Sequence, residues 1–489
     1  MPSSDHGAAG EPDKPVILWF RRDLRLRDNP ALLAAVETGR PIIPLFVLQE
    51  AEDIRLAGAA SLWWLDKSLR VLKRDLERLG STLVLRRGDA AQIVLDIVER
   101  TGAASVYWNR LYDGGAVKRD TSLKTDLIHR GVEAKSFNSG LLIEPWALKT
   151  KTGGPFKVFT PFWKTMRPLV GDFTLHKAPE SLRSPPHWPS TDTIDSWRLH
   201  PMKPDWSSGF DFWTPGEPGA HQQLHQFIQV HLGAYPAARD EPASDGTSRL
   251  SPHLHWGEIG PRQVWRDVDS AAHRHPALEP GADKFLSELA WRDFNHGILF
   301  HHPDLPSANY KPTFDAFPWS DNPRGLAAWK VGQTGYPMVD AGMRELWKTG
   351  FMHNRVRMIA ASFLIKHLLI DWRIGEQWFW DTLVDADEAN NPANWQWVAG
   401  SGADAAPFFR IFSPMGQGDR FDPGGGYVRR WVPELGKLDD KYIHAPWTAP
   451  DYALAKAGVK LGQTYPKPVV DHDTARKRAL DAFKGLKDG

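Results

Sequence analysis

The chain has 489 residues, 60 Lys and Arg against 59 Asp and Glu, and no cysteine. That length exceeds what one ordinary hydrophobic core takes, so two or more domains are expected. The missing thiols exclude disulfide scaffolds, thiolate metal centres, thiol nucleophiles and iron–sulfur clusters, and a net charge of +1 gives no global field for nucleic acid, so any basic site must be local.

Residues 1–14 (MPSSDHGAAGEPDK) lack the apolar core of a signal peptide, and no later apolar run nears the length of a membrane span. A soluble, cytoplasmic protein with no membrane partner and a frayed first dozen residues is expected. From residue 16 to 139, β-rich runs recur at VILWF (16–20), PIIPLFVL (41–48), STLVLRR (81–87), SVYWNR (105–110) and EAKSFNS (133–139). Helical patterns separate them. Over 61–80, Leu62, Leu65, Leu69, Leu72, Leu76 and Leu79 recur at intervals of three and four. Strand and helix in alternation predict a doubly wound, Rossmann-like parallel sheet over 15–145. The turn after the first strand, RRDLRLRDN, has neither G-x-G-x-x-G nor G-x-x-x-x-G-K, which argues against a dinucleotide held there by its pyrophosphate.

Residues 146–220 are rich in Pro, Gly, Ser and Trp and read as a long linker over the surface. From 221 to 489 the pattern is helical and predicts a larger all-α domain. Over 342–369, Met343, Leu346, Trp347, Met358, Ile359 and Phe363 form apolar stripes. In the same region Arg344, Lys348, Arg355, Arg357 and Lys366 face only Glu345, and read equally as a basic site or a solvated helix face.

Three constellations here bear on chemistry. Thr247, Ser248 and Ser251 precede Pro252, an arrangement that suits an ordinary capping loop or a phosphate at a helix start. His253, His255, His301, His302 and His353 form no H-E-x-x-H and have no carboxylate at ligand spacing, so packing or capping is their expected role. Asp385 and Asp387 lie two apart and would not share a helix face, so acceptance from Arg or a ligand N–H fits them at least as well as acid–base work. Around them stand Trp372, Trp378, Trp380, Trp395 and Trp397 with Asn390 and Asn391, either core filling or a surface for a planar ligand. If helical, Trp395 and Trp397 point roughly 200° apart and serve two different places.

Several long ordered stretches carry a resemblance: WFRRDLRLRDNPAL (19–32), GTSRLS (246–251), ELAWRDF (288–294), TGYPMVDAGMREL (334–346), GFMHNRVRMIAASFL (350–364), DWRIGE (371–376), NWQWVAGSGADAAPFFRIFSP (394–414) and WVPEL (431–435). From end to end the chain resembles the photolyase/cryptochrome flavoproteins, and most closely the class I and class III type photolyases of cyclobutane pyrimidine dimers. The resemblance implies FAD folded into a U in the helical domain. On it, Tyr235 and Thr247, Ser248, Arg249, Leu250 and Ser251 hold the phosphates, and Phe285 and Arg292 line the pocket. Arg357 pairs with Asp385 beside the flavin, Asp387 accepts from the ring, Ala386 between them also contacts the cofactor, and Asn391 sits at N5. It also implies an electron path through Trp395, Trp372 and Trp319, a lesion pocket of Trp291, Trp397, Glu288, Asn354 and Met358, and DNA-backbone contacts from Arg239, Arg355, Arg410 and Gln417.

The implied activity is light-driven repair of dimers in UV-damaged DNA by a monomer. Photoexcited FADH⁻ gives an electron to a flipped-out dimer, whose ring splits. Photolyases of the (6-4) type use a histidine pair where this chain has Asn354 and Met358, and plant-like cryptochrome photoreceptors carry an acid where it has Asn391. An antenna site is implied in the N-terminal domain, holding 5,10-methenyltetrahydrofolate or a deazaflavin, or left empty. YDGGAVKRD (112–120) lacks the Asn-Glu pair of the best-known folate-binding bacterial photolyases and leans toward the plant-like or class III branch.

Overall fold

The structure, a computed structural model, describes residues 14–50, 54–171, 173–405 and 409–488; the expectation of a frayed start falls on residues outside that range. The N-terminal part alternates β1 (Val16–Phe20), α1 (Pro30–Glu37), β2 (Ile42–Gln49), α2 (Ala59–Arg78), β3 (Val84–Gly88), α3 (Ala90–Thr101), β4 (Ser105–Asn109), α4 (Gly114–His129) and β5 (Glu133–Phe137). The strands pair in parallel in the order β3-β2-β1-β4-β5, with Val16 between Ile42 and Ser105.

Side chains of a strand alternate between the two faces of its sheet. Val16, Leu18 and Phe20 therefore enter one core with Trp64 and Leu69 of α2, while Ile17 and Trp19 enter a second with Ile93 and Ile97 of α3. Both faces are covered, which is why β1 is apolar without interruption. Asn29, Asp89 and Asp113 cap α1, α3 and α4 through their side-chain oxygens. The strand predicted from residue 81 begins at Val84, because Gly80 (φ +80°) and Ser81, whose N–H donates to the Leu76 carbonyl at 3.0 Å, still close the end of α2. The chain runs outward from β1 to β3 and returns on the other side at β4. The crevice at the carboxyl ends of β1 and β4 is the place where such sheets take ligands.

The stretch read as a linker contains the helix Phe159–Met166 and is not confined to the surface. Phe210 and Trp213 are buried in edge-on contact with Trp63 and Trp64 of α2, at 5.1 and 5.3 Å, and Trp213 donates its indole N–H to the Thr349 carbonyl at 2.9 Å. The helical part opens at Glu217, four residues ahead of the predicted start, with Pro218 in the first turn.

Residues 342–369 are not one helix. Gly350 takes φ +66° and ends the helix Pro337–Thr349; the helix Asn354–Ser362 starts afresh from a His353 cap and passes into a π-helical turn, Phe363–His367. Trp347, assigned to an apolar stripe, is 56% exposed and stacks on Trp378 at 6.1 Å. Of the basic run only Lys348 is exposed, so it is not a solvated face. Arg344, Arg355 and Arg357 pair with Glu434, Asp240 and Asp385, and Lys366 is buried, donating to the Arg410 carbonyl. Their acids come from far along the chain, where a charge count over one segment does not look. Among the described residues no helix is long and apolar enough to cross a membrane.

Candidate functional site

The turn before the helix Asn390–Ala399 organises the site. Its start is tied down by Val384, whose N–H donates to the Gly350 carbonyl at 2.8 Å. Its end is capped by Asp387, whose Oδ1 accepts from the backbone of Ala389 and Asn390 at 3.0 and 2.8 Å and from the Asn390 amide at 2.8 Å. Asp385 thus projects from a turn. Its Oδ2 accepts from Arg357 at 2.9 Å and from the Ser251 hydroxyl at 2.6 Å, while its buried Oδ1 has no partner among the described residues. Ser251 is exposed although Asp385 is buried. An unmet carboxylate oxygen beside an accessible hydroxyl is a place for a ligand's N–H or O–H, since leaving it unmet costs about 1–3 kcal/mol.

Asp387 turns its other oxygen toward two buried histidines, His255 Nδ1 at 3.5 Å and His296 Nε2 at 3.8 Å. Burial alone would raise Asp387, but these imidazoles and Arg292 hold it well below the usual carboxylate range. Burial, with Arg22 and Arg292 nearby, depresses His255 and His296 to about 4. Carboxylates do therefore lie near a histidine, contrary to the reading from spacing: ligand atoms of His255, Asp387 and Glu388 fall within 4.8 Å of one another. Glu388 is held by Arg22, so a cation already serves the cluster. His353 caps its helix through Nδ1, and His253 bonds Glu258, both structural roles.

Asn391 is buried, and its amide donates to Glu376 twice, to the backbone carbonyl at 3.1 Å and to Oε1 at 2.8 Å. The helix Asn390–Ala399 sends Trp395 and Trp397 to different places. Trp395 is buried against Phe379 (4.9 Å) and Trp329 (6.3 Å), where Gly375 leaves it room: a Cβ at that position would meet the indole at 2.2 Å. Trp397 donates to the Asp404 carbonyl at 3.0 Å and shares a small cavity with Trp291, Asn295 and Ala403. Trp372 is fully buried with its indole N–H on Asn309 at 2.9 Å, and Trp319 is half-buried against Phe317 at 4.5 Å. One face of Trp291 is covered by Phe159, stacked at 3.8 Å with 9° between the rings.

Tyr235 and Phe285 are buried edge to face at 5.4 Å. In the loop before the helix Ser251–His255, Arg249 takes φ +50° and pairs with Asp245 at 2.6 Å, the Ser248 carbonyl accepts from Gln223 at 2.9 Å, Leu250 is buried and Thr247 is half-buried; Ala386 is buried in the acid turn. Arg292 donates to the Gly140 carbonyl. Of the residues assigned to DNA, Arg239 pairs with Glu288 and Arg355 with Asp240, so neither cation is spare; Asn354 and Arg410 are exposed, Met358 is half-buried, and Gln417 Oε1 is buried without a partner among the described residues.

A second cavity, of about 280 Å³, opens at the carboxyl ends of β1 and β2, bounded by Trp19, Arg55, Gly114, Arg119, Trp256 and Glu388. Arg21 and Arg119 lie over the Trp19 ring at 4.7 and 4.8 Å. The stretch YDGGAVKRD supplies its wall: Asp113 caps α4 and Gly114 packs on Pro303, which a Cβ would meet at 2.7 Å.

Residues 16–182 match the family described as DNA photolyase, and residues 285–485 match the FAD binding domain of DNA photolyase. The chain is 53% identical to the deoxyribodipyrimidine photo-lyase of Agrobacterium fabrum over 97% of its own length and 98% of that protein's. It belongs to the photolyase/cryptochrome family. Cryptochrome-1 of Arabidopsis thaliana is 39% identical, over 96% of this chain and 70% of that protein. Among solved structures, a bacterial class III photolyase from Agrobacterium tumefaciens superposes with a TM-score of 0.95 at 52% identity, covering 99% of this chain and 100% of that one.

The unmet Asp385 Oδ1 suits the FAD that the family's second domain binds, because a flavin carries N–H on its ring and O–H on its ribityl chain, and a carboxylate only accepts. Within this photolyase/cryptochrome chain, sequence reasoning passed over Arg55, Glu376, His296 and Phe159. Glu376 stands in the quoted DWRIGE, yet its partner Arg55 lies 321 residues away. No local signal points to such a pair.

Proposed function

We propose that this protein repairs cyclobutane pyrimidine dimers in UV-damaged DNA, driven by light, with FAD as FADH⁻ in its helical domain. The observation that carries the reading is 53% identity, over nearly the whole of both chains, to a deoxyribodipyrimidine photo-lyase. When bound, FAD supplies the absorption of light and the electron that splits the dimer. The chain's own residues bind and orient. Asp385, fixed by Arg357 and Ser251, accepts from the ring; Asp387 keeps its negative charge beside it; Asn391 faces N5; Tyr235, Phe285 and the 247–251 loop enclose the rest. Trp291 and Trp397, which border one cavity, grip the extruded dimer by stacking, aided by Glu288, Asn354 and Met358.

Trp395, Trp372 and Trp319 run from buried to half-buried and provide the route by which FAD is reduced from outside. Trp319→Phe is expected to abolish photoreduction while repair by chemically reduced enzyme persists. Trp397→Ala is expected to do the reverse, weakening binding of a dimer-containing oligothymidine about 10- to 100-fold, as loss of a base stack of ~1–3 kcal/mol requires. Absorbance of the flavin under blue light and a gel-shift titration read the two effects. The 280 Å³ cavity, with Arg21 and Arg119 over the Trp19 ring in its wall, receives the planar antenna, a folate or a deazaflavin.

The assay for the whole reading is recovery of thymine absorbance from UV-irradiated oligothymidine mixed with reduced protein under blue light, against a dark control. No recovery from a protein that holds photoreducible FAD would assign it to the photoreceptor or (6-4) branch.

A further inference from the structure

We infer that Arg55 is a positioning residue that favours the reduced flavin, acting through Glu376 on Asn391; the inference rests on the proposal that Asn391 faces N5 of FAD. Asn391 Nδ2 has two hydrogens, and both are directed at acceptors of one residue, the Glu376 backbone carbonyl at 3.1 Å and Glu376 Oε1 at 2.8 Å. Two acceptors on that side fix which end of the amide is nitrogen. No hydrogen bond reaches Asn391 Oδ1 among the described residues, so the atom left for a ligand is an acceptor. An acceptor matches the N–H that N5 carries in reduced flavin and opposes the lone pair that N5 carries when oxidised.

What holds Glu376 in that attitude is Arg55. The guanidinium forms a two-pronged bridge, Nη1 to Oε1 and Nη2 to Oε2, each at 2.7 Å, to a carboxylate that is 2% exposed. It also lies 3.9 Å over the Trp380 ring, which together with the fork leaves it one orientation. A buried carboxylate stripped of its cation is strongly disfavoured and repacks or draws in water. The Asn391 amide would then be free to turn and offer Nδ2 to N5, reversing the preference. The segment that carries Arg55 is independently docked on the helix that carries Glu376, Trp372–Thr382: the Ser61 hydroxyl donates to the carbonyl of its capping residue Leu383 at 3.1 Å and the Trp380 indole to the Leu56 carbonyl at 2.8 Å. Loss of the guanidinium therefore tests charge and geometry rather than docking.

The test is an anaerobic spectroelectrochemical titration of the FAD-loaded protein. Arg55→Gln is expected to lower the equilibrium constant for two-electron flavin reduction about tenfold, a fall of about 30 mV, and Arg55→Lys, which keeps the charge and loses the fork, to fall between it and wild type. Ser61→Ala, which removes a docking bond without touching Glu376, is expected to leave the potential unchanged. If Arg55→Gln leaves the potential unchanged while Asn391→Ala shifts it, the role of Arg55 is overturned and the N5 assignment stands. If Asn391→Ala also leaves it unchanged, the N5 assignment fails first. A shift in Ser61→Ala equal to that in Arg55→Gln would reduce the effect to docking and overturn the inference. Should Arg55→Gln not retain FAD, Arg55→Lys and Glu376→Gln decide the question by the same readout.

Discussion

Asp385→Ala is expected to cost the protein its FAD. The carboxylate is buried, holds Arg357 at 2.9 Å and Ser251 at 2.6 Å, and keeps one oxygen for the ligand. Removing it deletes that acceptor and strands the guanidinium. Leaving one member of a buried pair alone costs roughly 3–5 kcal/mol; part of this is relieved because Arg357 is partly open to solvent. The lost acceptor, a hydrogen bond to a charged group worth about 1.5–3 kcal/mol, by itself weakens FAD binding roughly 10- to 100-fold, at ~1.4 kcal/mol per factor of ten. The ratio of flavin to protein absorbance after purification, and a fluorescence titration with added FAD, measure it. Asp385→Asn, which can still accept but carries no charge for Arg357, is expected to fall between Ala and wild type. Full FAD occupancy in Asp385→Ala would remove Asp385 from the flavin site.

Acidification from pH 6.5 to 4.5 is expected to destabilise the fold steeply. Burial holds His255, His296 and His353 near 4 and His367 near 3. The unfolded chain takes up these protons near pH 6.5; the folded chain does not. A depressed folded value gives stability that is present above pH 6.5 and lost as the pH falls toward 4. Burial works the other way on Asp293 and Glu345, raising both to about 7, so that in the same window they hold protons in the folded protein alone. Four imidazoles against two carboxyls leave a net two protons favouring the unfolded chain, a loss of up to roughly 3 kcal/mol per pH unit. Asp387, held low beside its histidines, adds to the loss below that window. Thermal unfolding of the FAD-loaded protein from pH 7 to 4.5 checks this. A constant Tm across the range would mean that the buried imidazoles reach solvent.

Much of the site's vocabulary stands in the sequence. The opposed directions of Trp395 and Trp397 follow from a 100° turn per residue, and the helix Asn390–Ala399 delivers one to Phe379 and Trp329 and the other to the cavity beside Trp291. The pairing of Arg357 with Asp385 came from family resemblance, because an acid 28 residues distant has no periodic relation to its partner. The basic run at 344–366 shows the limit most clearly. Counted along the chain it is a patch of unopposed charge; folded, Arg344, Arg355 and Arg357 are paired with acids from outside the segment and Lys366 is buried.

The sequence by itself determined the alternation of strands and helices and the apolar character of a sheet covered on both faces, since each depends on residues within about four positions of one another. Only the tertiary structure decided which groups meet: Asp385 with Ser251 across 134 residues, His255 with Asp387 across 132, and Arg55 with Glu376 across 321. The reason is energetic. Local periodicity records the favourable burial of one face of one element, whereas a pair distant in sequence gains its energy only after both elements have packed, and that gain leaves no pattern in either segment.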